Sequence, residues 1–156
     1  MSVTIKNLEA AFAGESQAFT KYMYFAKMAR QQGFEDVAKH FEHTASQELL
    51  HAHGHLELLV GKPDVKHCLE MAIEGETYEF TTMYPEFETV AIAEGNLEAA
   101  IEARYQIEES KEHADEFKQV LKKAEKRFAA LAKVEKRHAE AYQEVWEAVN
   151  TSQGAK

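Results

Sequence analysis

Two short stretches set a carboxylate and an imidazole three residues apart: Gln47-Glu48-Leu49-Leu50-His51 and Glu135-Lys136-Arg137-His138. On a helix that spacing puts both side chains on one face. In a chain this rich in glutamate a Glu-x-x-His pair arises easily by chance, and on a surface it is an ordinary polar pair. Position gives these two more weight. Glu48 and Glu135 stand at steps of apolar stripes where a core residue belongs. So do Glu15 and Glu76, with Glu79 one turn beyond Glu76. A carboxylate taken out of water is tolerated only with a proton, a partner or a metal. Carboxylate oxygens bridge two hard cations, and one imidazole per metal completes each site. Iron or manganese suits such a set. Zinc usually takes four ligands, often thiolates, and magnesium rarely uses histidine.

Four elements must position these groups, each read from its period. The first helix, about residues 7–31, carries the stripe Leu8, Phe12, Glu15, Phe19, Tyr22, Ala26 and Ala29, steps of three and four that form one face. Gly33 stops it as a left-handed cap. The second, about 34–60, carries Phe34, Ala38, Phe41, Ala45, Glu48, Ala52, Leu56 and Leu59, and Gly61-Lys62-Pro63 closes it. The third, about 65–93, carries Leu69, Ile73, Glu76, Phe80, Met83, Phe87 and Val90, with Pro85 expected to bend it near Met83-Tyr84. From residue 96 to 150 no Gly or Pro occurs, and a heptad-like seam runs from Ala100 to Val149. A helix this long, roughly 80 Å at 1.5 Å per residue, is continuous and covered by a partner subunit, or else splits near residues 122–127. The tail from Ser152 to Lys156 is expected to fray.

The totals agree with an all-α protein in one domain, residues 1–156. The chain is 45% hydrophobic and 29% charged, with seven Gly and two Pro, too little punctuation for many strands. Net charge is −9 without a basic cluster, which disfavours nucleic acid and an anionic membrane surface. No apolar run reaches the ~18–20 residues of a spanning helix, and the first residues lack a signal peptide's apolar stretch. Cys68 is the single cysteine, so no intrachain disulfide forms and a cytoplasmic location is expected. Cys68 itself reads as a small packing residue. Trp146 reads as a core or interface anchor, and His40, His43, His53 and His55 as a solvated face.

One Glu from each of two helices and a Glu-x-x-His from each of two others is the ligand inventory of dinuclear carboxylate sites in ferritin-like four-helix bundles. The wording of the sequence narrows this further. Asn7-Leu8-Glu9-Ala10-Ala11-Phe12-Ala13-Gly14-Glu15-Ser16, Tyr22-Met23-Tyr24-Phe25-Ala26, Gly75-Glu76-Thr77-Tyr78-Glu79, Met83-Tyr84-Pro85-Glu86-Phe87 and the run from Phe128 to Tyr142 together resemble the rubrerythrins over most of the chain. The resemblance implies two iron ions, oxo- or hydroxo-bridged when oxidised, with manganese or a mixed pair as alternatives. It implies the ligands Glu15, Glu48, His51, Glu76, Glu79, Glu135 and His138. One iron would change ligand between His51 and Glu79 with oxidation state. Tyr22 and Tyr84 would line the site, and Glu79 would carry a proton. The activity implied is reduction of hydrogen peroxide to water in defence against oxidative stress. An oxidase or ferroxidase using dioxygen, and an iron-binding protein with little turnover, are the alternatives.

Two departures from the family pattern stand out. Its usual rubredoxin module needs four cysteines, so this chain resembles the rubredoxin-less, sulerythrin-type members, and its electrons would come from a separate rubredoxin or reductase. Counted without gaps from Gly75-Glu76, the last Glu-x-x-His falls at Ser110 and His113, whereas the intact pair comes later, at Glu135 and His138. The intact pair lies in the seam and is taken as the ligand pair; Glu109, Glu112 and His113 are read as a solvated face. A last helix extended this far would carry Glu135 some 37 Å past the usual level. It could complete the site in a neighbouring subunit, in a homodimer or higher oligomer that exchanges helices.

Overall fold

The computed structural model of the protein describes residues 2–153. They form α1 (Val3–Gln31), α2 (Glu35–Val60), α3 (Val65–Tyr78), a π-helical turn (Glu79–Met83), α4 (Tyr84–Ala93) and α5 (Leu97–Gln153). No strand occurs among the described residues. The helices gather into two compact units, Met1–Pro63 and Asp64–Lys156.

The first unit is the hairpin of α1 and α2. Ser2 caps α1, its Oγ accepting from the Ile5 N–H at 3.3 Å, which satisfies one of the free donors of the first turn. At the other end Gly33 takes φ +83°, and the Phe34 N–H reaches back to the Ala29 carbonyl at 2.9 Å. Arg30 forks across the turn to Glu35 and Glu42. The buried residues are small: Ala26 on α1, and Ala38, Ala45 and Ala52 at heptad spacing on α2. Small residues let the helix backbones approach closely, and the large side chains flank the contact. Tyr22, Phe25 and Phe41 pack there, with centroids 6.0 Å apart for Tyr22–Phe41 and 5.6 Å for Phe25–Phe41. The α1 stripe turns inward as expected. Phe34 does not, because it caps α2 from outside the helix and stays exposed.

In the second unit α3, the π turn and α4 pack on α5. Asp64 caps α3 through the His67 N–H at 2.8 Å. Pro85 has no N–H to give, and its ring crowds the carbonyl four residues back. The chain answers at Met83-Tyr84, by widening and not by a bend: the Tyr84 N–H bonds to the Glu79 carbonyl, a five-residue step that widens the helix. The extra residue shifts the inward face. Leu69, Ile73, Glu76 and Phe80 lead into Tyr84, Glu88 and Ala91, while Phe87 and Val90, expected inside, are more than half exposed. α5 passes through residues 122–127 without a break, and Glu125 there meets Lys66 at 3.8 Å. Its buried residues are again small: Ala100, Ala103, Ser110 and Ala114. Of the expected frayed tail, Ser152 and Gln153 belong to α5 and residues 154–156 lie outside the described residues.

Candidate metal centre

On the inward face of the hairpin, α1 supplies Glu15 and α2 supplies Glu48 and His51. One ligand atom from each lies within 4.8 Å of the other two. His51 Nδ1 is 3.0 Å from Glu48 Oε2 and 4.0 Å from Glu15 Oε2. Both carboxylates are partly buried and His51 is exposed. A hydrogen bond with Glu48 holds the Glu15 carboxyl above the usual carboxylate range, with burial and the Glu48 charge adding to it, against the pull of His51 and His55. Two carboxylates set this close repel each other when both are charged, and a shared cation relieves that repulsion. This donor set, two carboxylates and an imidazole, fits iron or manganese.

The second unit carries its own acidic set. Glu76 and Glu79 project from α3 and the π turn towards α5. Ser110 donates its hydroxyl to Glu79 Oε2 at 2.9 Å, and His113 Nδ1 stands 3.5 Å from Glu76 Oε2. That Glu76 oxygen is buried and has no hydrogen-bond partner, an arrangement that leaves a lone pair available to a cation. Tyr84 lies on the same inward face. Burial, then the charges of Glu79, Glu102 and Glu76, push its hydroxyl pKa up, so the phenol keeps its proton. Tyr22, in the first unit, packs its ring on Phe25 and Phe41.

Glu135 and His138 are not brought to Glu76 and Glu79. They pair with each other at 3.9 Å, both well exposed. The cause is the continuity of α5: with no bend to fold it back, the pair stays some 37 Å along the helix axis from Ser110 and His113. The positions level with Glu76 and Glu79 are those of the ungapped count: His113 lies on an exposed face, with its Nδ1 beside Glu76. The signal was the fixed distance from Gly75-Glu76, which the intact Glu-x-x-His outweighed. Tyr105, one turn before Glu109, donates to its carboxylate at 2.7 Å, a contact the spacing alone did not mark.

The rubrerythrin family model matches residues 6–121, a stretch that includes Ser110 and His113 and stops short of Glu135. Nigerythrin of Nitratidesulfovibrio vulgaris is 41% identical over 110 residues, 62% of this chain and 54% of its own length. A putative rubrerythrin of Methanocaldococcus jannaschii is 33% identical over 147 residues, 80% of this chain and 72% of its own. The match thus spans little more than half of the length of nigerythrin. Among solved structures, nigerythrin in its fully reduced, all-ferrous state shares 33% identity over 80% of this chain and 69% of its own, with a TM-score of 0.40. No helix among the described residues is long and apolar enough to cross a membrane.

Proposed function

The chain belongs to the rubrerythrin family, and on that premise we propose that it is a diiron peroxidase. It reduces hydrogen peroxide to water with electrons from an external donor, a rubredoxin or a reductase, as a defence against oxidative stress. One observation carries the reading: Glu15, Glu48 and His51 converge within 4.8 Å as two carboxylates and an imidazole. One peroxide, two protons and two electrons give two waters, and a pair of ferrous ions would supply both electrons and polarise the departing oxygens.

The chain's own residues do the rest. Glu15, Glu48 and His51 hold metal in the first unit. Glu76, Glu79 and His113 are the ligands of the second, with Glu76 Oε2 already free of hydrogen bonds. The Ser110 hydroxyl keeps Glu79 aimed by donating to one of its oxygens, which leaves the other oxygen to accept or release a proton. Tyr84 holds its phenolic proton as a hydrogen-bond donor.

Anaerobic loading with ferrous iron tests this. Two irons are expected per chain, with one peroxide consumed per iron pair and a rise in near-ultraviolet absorbance on oxidation. The Glu48→Ala variant should lose iron from the first unit. Normal iron content in Glu48→Ala refutes the ligand assignment. Faster reaction of the reduced protein with dioxygen than with peroxide refutes the peroxidase in favour of an oxidase.

A further inference from the structure

The outer part of α5 offers a surface that neither the fold of its own unit nor the proposed chemistry uses. α3 begins at Val65, which lines an open hollow together with Val120, Ala124, Phe128 and Leu131 of α5. From residue 132 to 150 every described residue of α5 is exposed except the half-buried Val134. The seam nevertheless continues through Glu135, His138, Tyr142, Val145 and Val149. Tyr142 is 76% exposed, and Val145 and Trp146 are each 63% exposed. The positions flanking the seam are Ala132, Val134, Ala139 and Ala141, small enough for another helix to come close.

We propose that this segment pairs antiparallel with the same segment of a second copy of the chain. The charge within the seam sets the direction: a parallel pair lays Glu135 on Glu135 and His138 on His138, whereas an antiparallel pair can lay each Glu135 on a His138. The two polar steps of the seam set the register. With the two-fold axis between Lys136 and Arg137, Glu135 faces His138 of the second copy and His138 faces its Glu135. Leu131 then meets Tyr142 of the second copy, Phe128 meets Val145, and Ala124 meets Val149. Any shift by one heptad sets Glu135 or His138 against an apolar layer, and a polar layer of this kind fixes register in paired helices. The parallel alternative would oppose Glu135 to its own copy.

Cysteine cross-linking in the full chain separates these arrangements. Two preparations are made in a Cys68→Ser background, one with Leu131→Cys and one with Tyr142→Cys, then mixed and oxidised gently. The expected product is the mixed disulfide between the two, with little self-linked Leu131→Cys. A second variant, Tyr142→Glu with Val145→Glu, changes only exposed positions and should keep its helicity while its mass by light scattering falls from twice the chain mass to the chain mass. Self-linked Leu131→Cys as the main product overturns the antiparallel arrangement. A wild-type chain that stays monomeric, or a dimer that neither forms the mixed disulfide nor responds to the double glutamate variant, overturns the interface altogether.

Discussion

Ser110 stands where the family pattern counts a glutamate, and Ser110→Glu tests what that position does. Ser110 is 3% exposed, and its hydroxyl donates to Glu79 Oε2 at 2.9 Å. A glutamate there has no donor to offer and brings a second carboxylate against the first. Two unit charges about 4 Å apart repel by about 4 kcal/mol at an effective dielectric constant near 20. The lost hydrogen bond to a charged acceptor adds about 1.5–3 kcal/mol, and crowding of the longer side chain adds more in the same direction. For a chain of this size each kcal/mol moves the melting point by roughly 2–4 °C, so metal-free Ser110→Glu should melt at least 10 °C lower, a shift of roughly that size following from the repulsion alone. Ser110→Ala loses only the hydrogen bond and should fall by a smaller amount. A divalent cation inverts the order, because the added carboxylate then becomes a ligand beside Glu76, Glu79 and His113. Melting curves in chelator and in excess manganese, for wild type and both variants, give the assay. Manganese should raise Ser110→Glu more than it raises wild type, and should not do so for Ser110→Ala. If Ser110→Glu melts with wild type in chelator and responds no more to manganese, Ser110 does not face a metal-holding set, and the ligand role of Glu76 and Glu79 fails with it.

Two further outcomes follow from the geometry. Arg30 holds the carboxyls of Glu35 and Glu42 below the usual carboxylate range, chiefly by hydrogen bonds that Arg30 donates to each. Groups whose folded pKa is depressed add stability above their unfolded pKa and lose it as pH falls through the folded value; Arg30→Met should therefore lower the melting point at neutral pH and flatten its fall on the acid side, as read by melts from neutral pH down through the carboxylate range. In a Pro85→Ala background, which removes the ring that regular helix would not tolerate, deleting Thr82 removes the extra residue of the π turn and leaves the faces before and after it in phase, so this deletion should melt near its parent. Deleting Glu74 in regular helix should instead turn Leu69 by about 100° against Glu76 and cost about 2–4 kcal/mol of apolar burial, measured by urea unfolding; equal losses in the two deletions would refute the phase argument.

Most of the helical architecture was legible because it rests on local signals. The glycines at 33 and 61 sit at helix ends for backbone reasons that spacing reveals, whereas α1 starts at Val3 on the Ser2 cap, a turn before the residue 7 from which the stripe was read. The π turn was not legible. A stripe through Phe80, Met83, Phe87 and Val90 is a flawless α-helical pattern, and only the packing of Ala91 and the Arg104–Glu88 ion pair against α5 decides that the face runs through Tyr84 and Glu88. Proline announced a disturbance, and the chain meets it with a widened turn, closed by the Tyr84 N–H on the Glu79 carbonyl. The core was legible as a face and not as a packing. The stripes show which side turns inward, yet it is the alanines within them that are buried, and the aromatic steps lie at the margin of each contact.

The last pair of ligands shows where periodicity runs out. The segments around His113 and His138 repeat each other: His113-Ala114 and His138-Ala139, Phe117 and Tyr142, Val120 and Val145 stand in corresponding places. Their offset of about seven helical turns, at 3.6 residues per turn, brings both onto nearly the same face. A stripe therefore cannot choose between them, and the intact Glu-x-x-His looks the stronger of the two. Only axial position separates the copies, and axial position is set elsewhere, by the length of the connection from Glu79 through Gly95 and by the absence of any break in α5. The copy level with Glu76 has Ser110 in place of the acid. The copy with the acid lies on a stretch of α5 that is exposed in its own unit. The same side-chain types thus meet two environments: His113 beside a buried carboxylate oxygen that lacks a hydrogen bond, and His138 in water with Glu135. Chemistry at the first depends on what the carboxylates hold. The second acquires a defined role only when another surface covers the seam on which it lies.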